Sequence, residues 1–195
     1  SMSKIIIGYD SRTLGKLYTI LISNLFIKNN ISVILFEEPN TLPELSFAVT
    51  YFKADLGIEI TASHNDKRYN GYKIITKNGS PPPVNFKDEL THEIFNDSND
   101  LLNSLSNILQ NNSLDFNSKK LSMIKTSCID DTKDYSITNL HSEYLKQLIK
   151  LVSDRNLIET HSSTINIGYS ALHGTGYDIT SHLFKKLGIE NVKYI

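Results

Sequence analysis

A single cysteine, Cys128, is all that the chain carries. It has no partner for an internal disulfide or for a cysteine-rich metal site, which makes a reducing compartment, the cytoplasm, the expectation. Net charge is nearly absent as well: 20 Lys and Arg against 21 Asp and Glu leave −1 with neutral His. That balance removes the electrostatic ground for a nucleic-acid binder or for attachment to an anionic membrane. No apolar run approaches the roughly 18 residues of a membrane-spanning helix. No solenoid-type repeat is visible, and no phosphate loop of the G-x-x-x-x-G-K-S/T type occurs. What remains is 195 positions with 39% hydrophobic and 21% charged residues, enough apolar surface for a packed core and too little charge for intrinsic disorder. At roughly 150 residues per domain, the length fits one domain, or one domain and part of another.

Strand and helix patterns alternate along the chain. Lys4 to Asp10 holds a short apolar run rich in β-branched residues, the pattern of a strand buried on both faces. Leu14, Leu17, Tyr18, Leu21, Ile22, Leu25 and Phe26 then repeat at steps of three and four, an amphipathic helix that Asn29-Asn30 ends. Ser32 to Phe36 is a second strand, Pro43 stands where a first-turn proline opens a helix through about Ala54, and Gly57 to Ile60 is a third strand. Tyr72 to Thr76 alternates like a strand, with Asn78-Gly79 as a turn.

From Pro81 onward the chain changes character. Helices are expected through Phe86, Leu90 and Ile94 and through Leu101, Leu105, Ile108 and Leu109. Asn and Ser supply 12 of the 23 residues from Asn96 to Ser118, which marks surface structure or an insertion. Ser118 to Tyr135 reads as irregular. A helix over His141 to Val152, a strand over Thr164 to Tyr169, a turn over Ser170 to Gly176 and a helix ended by Gly188 follow, with Val192 to Ile195 as a further strand. Such alternation predicts a mostly parallel sheet with helices on its faces.

In sheets of this kind functional groups collect beyond the carboxyl ends of the strands. After the third strand the loop reads Thr61-Ala62-Ser63-His64-Asn65-Asp66-Lys67-Arg68-Tyr69-Asn70-Gly71-Tyr72-Lys73. A serine with His64, Lys67, Arg68 and Lys73 close in sequence and only Asp66 as a nearby acid suits a dianionic phosphate on or beside Ser63. The plain alternative is a serine cap among solvated basic residues. A Ser-His hydrolase fits poorly, because the glycines of a nucleophile elbow are replaced by Thr61 and Asn65. Gly174-Thr175-Gly176 is a weak dinucleotide signal, since Ile179 replaces the third glycine. His173 reads either as a site residue or as a turn histidine. His92, His141, His161 and His182 lack metal-ligand spacing.

Ile60-Thr61-Ala62-Ser63-His64-Asn65 with Tyr69-Asn70-Gly71-Tyr72-Lys73 resembles the signature of the α-D-phosphohexomutases, the phosphoglucomutase and phosphomannomutase family. Gly8-Tyr9-Asp10-Ser11-Arg12 is similar to that family's G-x-D-x-R turn, Ser46 to Val49 to its second helix, and Ser170 to Gly176 to the opening turn of its second domain. The resemblance implies a reversible phosphoryl shift between the 1- and 6-positions of a hexose through a sugar bisphosphate. Ser63 would carry the phosphate, His64 shape its pocket and Lys73 serve proton transfer or phosphate contact. Arg12, Asn65, Lys67, Arg68 and His173 would lie about the phosphate or substrate. Mg2+ would bind Ser63 through its phosphate, with most of its ligands outside this chain.

The sequence departs from the family pattern at Asp66, where the family has proline. The D-x-D-x-D-R metal loop is also missing, since Asp130-Asp131 with Asp134 does not reproduce its spacing. The expectation is therefore an α/β chain: a three-layer α/β/α mixed sheet over residues 1–140, lacking its extreme N-terminus, and the start of a second, similar domain over 141–195. A sugar phosphate and the remaining domains of the same polypeptide are the expected partners, and the piece alone is expected to be inactive. Phosphomannomutase or phosphopentomutase activity, or a binding module with a relic motif, are the alternatives.

Overall fold

A computed structural model describes residues 3–96 and 137–195. The helix expected near Leu101 to Leu109 and the irregular stretch from Ser118 to Tyr135 lie outside these residues. The chain falls into two compact units, one formed by Ser1–Ser80 with Cys128–Ile195 and the other by Pro81–Ser127. In the second unit the described structure is one helix, α3 (Val84–Asn96), with Val84 and Phe86 exposed.

In the first unit, β1 (Lys4–Tyr9), β2 (Ser32–Leu35), β3 (Leu56–Ile60) and β4 (Tyr72–Thr76) form a sheet in the order β2-β1-β3-β4. β1 is parallel to both neighbours, and β4 runs antiparallel to β3. Successive residues of β1 face opposite sides, so both of its faces need cover. Ile5, Ile7 and Tyr9 join Val33, Ile58 and Ile60 against Ile22, Phe26 and Ile27 of α1 (Gly15–Lys28). Ile6 faces the other way, with Leu45, Ala48 and Val49 of α2 (Leu42–Tyr51), Ile75 and Leu140. Two helical layers therefore enclose a mixed sheet, the expected three-layer arrangement.

Local chemistry sets the helix ends. Thr41 and Glu44 form a reciprocal capping box with Pro43 in the first turn of α2. α2 stops at Tyr51, short of the expected Ala54. Lys53 turns left-handed (φ 51), its N–H bonds the Thr50 carbonyl, and the Ala54 N–H bonds that of Val49. The same pair of bonds closes α1 at Asn30 (φ 57), the stop legible in Asn29-Asn30.

α4 (Ile137–Leu151) packs on α2 and on α6 (Gly176–Lys186). A short helix, α5 (Arg155–His161), was not foreseen; Asp154 caps it by accepting from the Leu157 N–H at 2.8 Å. α5 also explains why β5 (Ile167–Tyr169) is shorter than expected: the Thr164 and Ile165 N–H groups both bond the His161 carbonyl and close the helix. β5 pairs in parallel with β6 (Val192–Tyr194), giving a β-α-β unit with α6 between them.

Candidate active site

β1 and β3 run parallel and end side by side, so the turn after β1 meets the loop after β3. At that junction Asp10 is a hub. Its carboxylate accepts from the Arg12 backbone N–H (2.9 Å), from Arg12 Nε (3.2 Å) and from the Thr61 hydroxyl (2.6 Å). Thr61 Oγ1 in turn accepts from the Ser63 N–H at 2.9 Å. Ser63 takes a left-handed backbone conformation (φ 58), uncommon for a residue with a Cβ, and is exposed.

Arg12 lies beneath this loop with its side chain only 10% exposed. Nη1 donates to the carbonyls of Asp66 (2.9 Å) and Tyr69 (2.8 Å), and Nη2 to those of Ser63 (3.0 Å) and Asn65 (2.7 Å). With Nε on Asp10, all five N–H donors of the guanidinium are engaged. The carbonyls of Ser63, Asn65, Asp66 and Tyr69 turn toward Arg12, while Ser63, His64, Asn65, Lys67 and Arg68 are exposed.

The expected cationic residues divide on inspection. His64 Nδ1 is 3.5 Å from Ser63 Oγ, the outer limit of a hydrogen bond. Arg68 is turned onto Asp66, with its backbone N–H at 2.9 Å and Nε at 2.8 Å from Oδ1, and these bonds hold the Asp66 carboxyl below its usual range. Lys73 stands opposite the buried Glu59 in the β3–β4 register. His173 enters through its backbone: its carbonyl accepts from the Ser11 hydroxyl, which brings the turn after β5 to the turn after β1. Among the described residues no hydrogen bond joins the side chains of Lys67, Lys73 or His173 to Ser63.

One buried group had no sequence signal. Glu59, 1% exposed, accepts from Asn40 Nδ2 at 2.9 Å, and Asn40 Oδ1 accepts from the Tyr9 N–H at 3.0 Å. Burial pushes its carboxyl up to about 8, against the Asn40 hydrogen bond, with Asp10 and Glu44 adding to the rise. In the sequence it reads as a plain alternating position of a strand. Asp10 and Thr61 belonged to the quoted motifs, yet only the fold reveals that they orient Arg12 and Ser63.

Comparison with known proteins shows to which family the chain belongs. The family model described as phosphoglucomutase/phosphomannomutase, alpha/beta/alpha domain I, matches residues 1–101. The chain belongs to the phosphoglucomutase/phosphomannomutase family. A phosphoglucomutase of Staphylococcus haemolyticus is 30% identical over 191 residues, covering 98% of this chain and 31% of that protein. Another, from Staphylococcus saprophyticus, is 28% identical over 190 residues, covering 97% and 30%. Among solved structures, the open form of the Paramecium phosphoglucomutase parafusin shares the fold, with a TM-score of 0.63, 18% identity, and coverage of 98% of this chain and 36% of that one. The chain thus spans about a third of the length of its curated relatives.

Family membership raises the question of a metal ion. Among the described residues, no three His, Cys, Asp or Glu side chains are placed to hold one, and the Asp10 carboxylate is already shared between Arg12 and Thr61. No helix among the described residues is long and apolar enough to cross a membrane.

Proposed function

We propose that this chain is the phosphoserine-bearing portion of a phosphohexomutase acting on glucose phosphates in the reducing cytoplasm. Residues 1–140 are read as its first domain and 141–195 as the opening of a second, with further domains in the same polypeptide. The supporting observation is Ser63, held outward in a left-handed conformation on a loop whose carbonyls are gathered on Arg12. In the proposed reaction a hydroxyl of a hexose monophosphate attacks the phosphorus on Ser63 Oγ. The P–Oγ bond breaks, a P–O bond to the sugar forms, the hydroxyl proton passes to a base, the role proposed for Lys73, and the departing Ser63 Oγ takes up a proton to become the serine hydroxyl. The bisphosphate then turns around and returns its other phosphoryl group to Ser63, so phosphate is conserved. His64 and Lys67 supply positive charge beside the transferring group.

Mg2+ on the phosphate of Ser63 would neutralise part of its charge, with its other ligands outside the described residues. Glucose is proposed because the curated relatives reported above are named phosphoglucomutases; phosphomannomutase or phosphopentomutase activity is the alternative. Intact-mass analysis tests the reading. After incubation of the full-length protein with glucose 1,6-bisphosphate, wild type should gain one phosphoryl group and Ser63→Ala none. An adduct that survives in Ser63→Ala removes Ser63 as the acceptor, and no adduct in wild type favours a relic motif. The present chain alone should show no turnover of glucose 1-phosphate.

A further inference from the structure

The resemblance places Arg12 among the phosphate-binding residues, yet its geometry leaves it no free donor. A guanidinium has five N–H groups, and here four meet the carbonyls of Ser63, Asn65, Asp66 and Tyr69 while the fifth meets Asp10. To bind a substrate phosphate, Arg12 would have to give up at least one of these bonds, and with it part of the cross-linking of the loop. We propose that Arg12 is instead a positioning residue: it cross-links the loop from Ser63 to Tyr69 and holds Ser63 in the geometry needed for phosphoryl transfer, without touching the substrate.

Three features support this role. The four carbonyls come from seven consecutive residues, Ser63 to Tyr69, of the loop between β3 and β4, so one side chain replaces the ladder bonds that the loop lacks. Arg12 is itself fixed from two directions, since Asp10 accepts from both its backbone N–H and its Nε. The same carboxylate reaches Ser63 by a second path, through the Thr61 hydroxyl to the Ser63 N–H. Ser63 is thus held at its N–H by Thr61 and at its carbonyl by Arg12, while its Oγ stays outside that network. Lysine cannot substitute, because three donors on a point charge do not match a planar fork with five.

The kinetic part of this assignment rests on the mutase reading; the structural part does not. In the full-length protein, Arg12→Ala should lower kcat about 100-fold, the scale of a small misplacement of a reacting group, with KM for the sugar phosphate nearly unchanged. Arg12→Lys should lower kcat to a similar extent, and added guanidinium should partly restore Arg12→Ala where ammonium does not. A raised KM with kcat unchanged would make Arg12 a substrate ligand, and full activity in Arg12→Lys would show that charge alone suffices; either overturns the proposal. Hydrogen exchange separates its failure from that of the mutase reading. In Arg12→Lys, which keeps the charge and so the better prospect of folding, the amides of Ser63, Asn65, Arg68 and Tyr69 should exchange roughly tenfold faster or more, whatever the protein's activity. Unchanged exchange there overturns the proposal even if the protein proves to be a mutase. Accelerated exchange in a protein that takes up no phosphate leaves Arg12 as the loop's cross-link and defeats the mutase reading.

Discussion

β1 and β5 end in the same tripeptide, Ile7-Gly8-Tyr9 and Ile167-Gly168-Tyr169, and each leads through a polar turn toward a helix. β1 lies between two strands with helices over both faces, and Ile7, Gly8 and Tyr9 are all buried. Among the described residues β5 pairs with β6 alone, and its Gly168 is exposed. Identical residues therefore work under different constraints, set by what the rest of the chain brings against them. A Cβ on Gly8 would sit 2.3 Å from Asn40 Oδ1 and 2.6 Å from Glu59 Oε2, whereas on Gly168 the nearest atom is Ile195 Cδ1 at 3.8 Å. Gly8→Ala should cost about 3 kcal/mol in urea unfolding, because Asn40 and Glu59 cannot separate without breaking their hydrogen bond. Gly168→Ala should change stability by less than about 0.5 kcal/mol. Equal losses would mean that the two strands are not differently enclosed.

The next effect also belongs to the first region. Every buried polar residue among those described lies between Thr19 and Thr61, and Glu59 is the acid among them whose carboxyl burial raises from 4.5 to about 8. Below its unfolded value Glu59 is protonated in both states and stability is at its full level. As pH rises past that value the unfolded chain ionises first, so stability falls until pH passes the folded value. The slope is at most about 1.4 kcal/mol per pH unit. Glu59→Gln keeps an acceptor for Asn40 and cannot ionise. Relative to wild type it should gain roughly 2 kcal/mol between about pH 5.5 and pH 7.5 in unfolding titrations. A difference independent of pH would show that Glu59 is ionised in the fold.

These two regions also differ in how far their residues speak for themselves. β1 is legible because a short β-branched run with no polar position has to be covered on both faces, and Asn29-Asn30 announces the turn that closes α1. Ser63 is singled out in the sequence by the basic residues near it. The agents that hold it are not, because Arg12 lies 51 residues away in sequence and meets the loop through carbonyls, which every residue has. Glu59 is hidden for a related reason: in Leu56-Gly57-Ile58-Glu59-Ile60 it occupies a position that a solvent-facing strand residue would also fill. In the second region Thr164 and Ile165 resemble strand residues, yet their N–H groups finish α5, a competition that strand propensity does not register.

The hydroxyls that brace the two turns sharpen the contrast. Thr61 is buried and donates to Asp10 while accepting from Ser63, so Thr61→Val removes one of three hydrogen bonds to Asp10, leaves the Ser63 N–H without its acceptor, and should cost about 1.5 kcal/mol. Ser170 Oγ accepts the Leu172 N–H at 3.2 Å in an exposed turn where water can replace it, and Ser170→Ala should cost no more than about 0.3 kcal/mol. Denaturant midpoints of the two variants measure the difference directly. If Ser170→Ala matched Thr61→Val, the second turn would be as strongly braced as the first.

The loop after β3 and the turn after β5 each hold a residue with a Cβ in the left-handed region, Ser63 at φ 58 and Leu172 at φ 51. At Ser63 that conformation is held by Thr61 on one side and Arg12 on the other. Leu172 has less to hold it: it is 86% exposed, and the bonds nearby are its own N–H to Ser170, the Gly174 N–H to the Ala171 carbonyl and the Ser11 hydroxyl to the His173 carbonyl. Asparagine tolerates this region better than leucine does, and an exposed leucine forfeits little packing when replaced. Leu172→Asn should therefore raise stability slightly, by about 0.5 kcal/mol, in thermal unfolding of this chain. A loss instead of a gain would mean that the Leu172 side chain is packed rather than exposed.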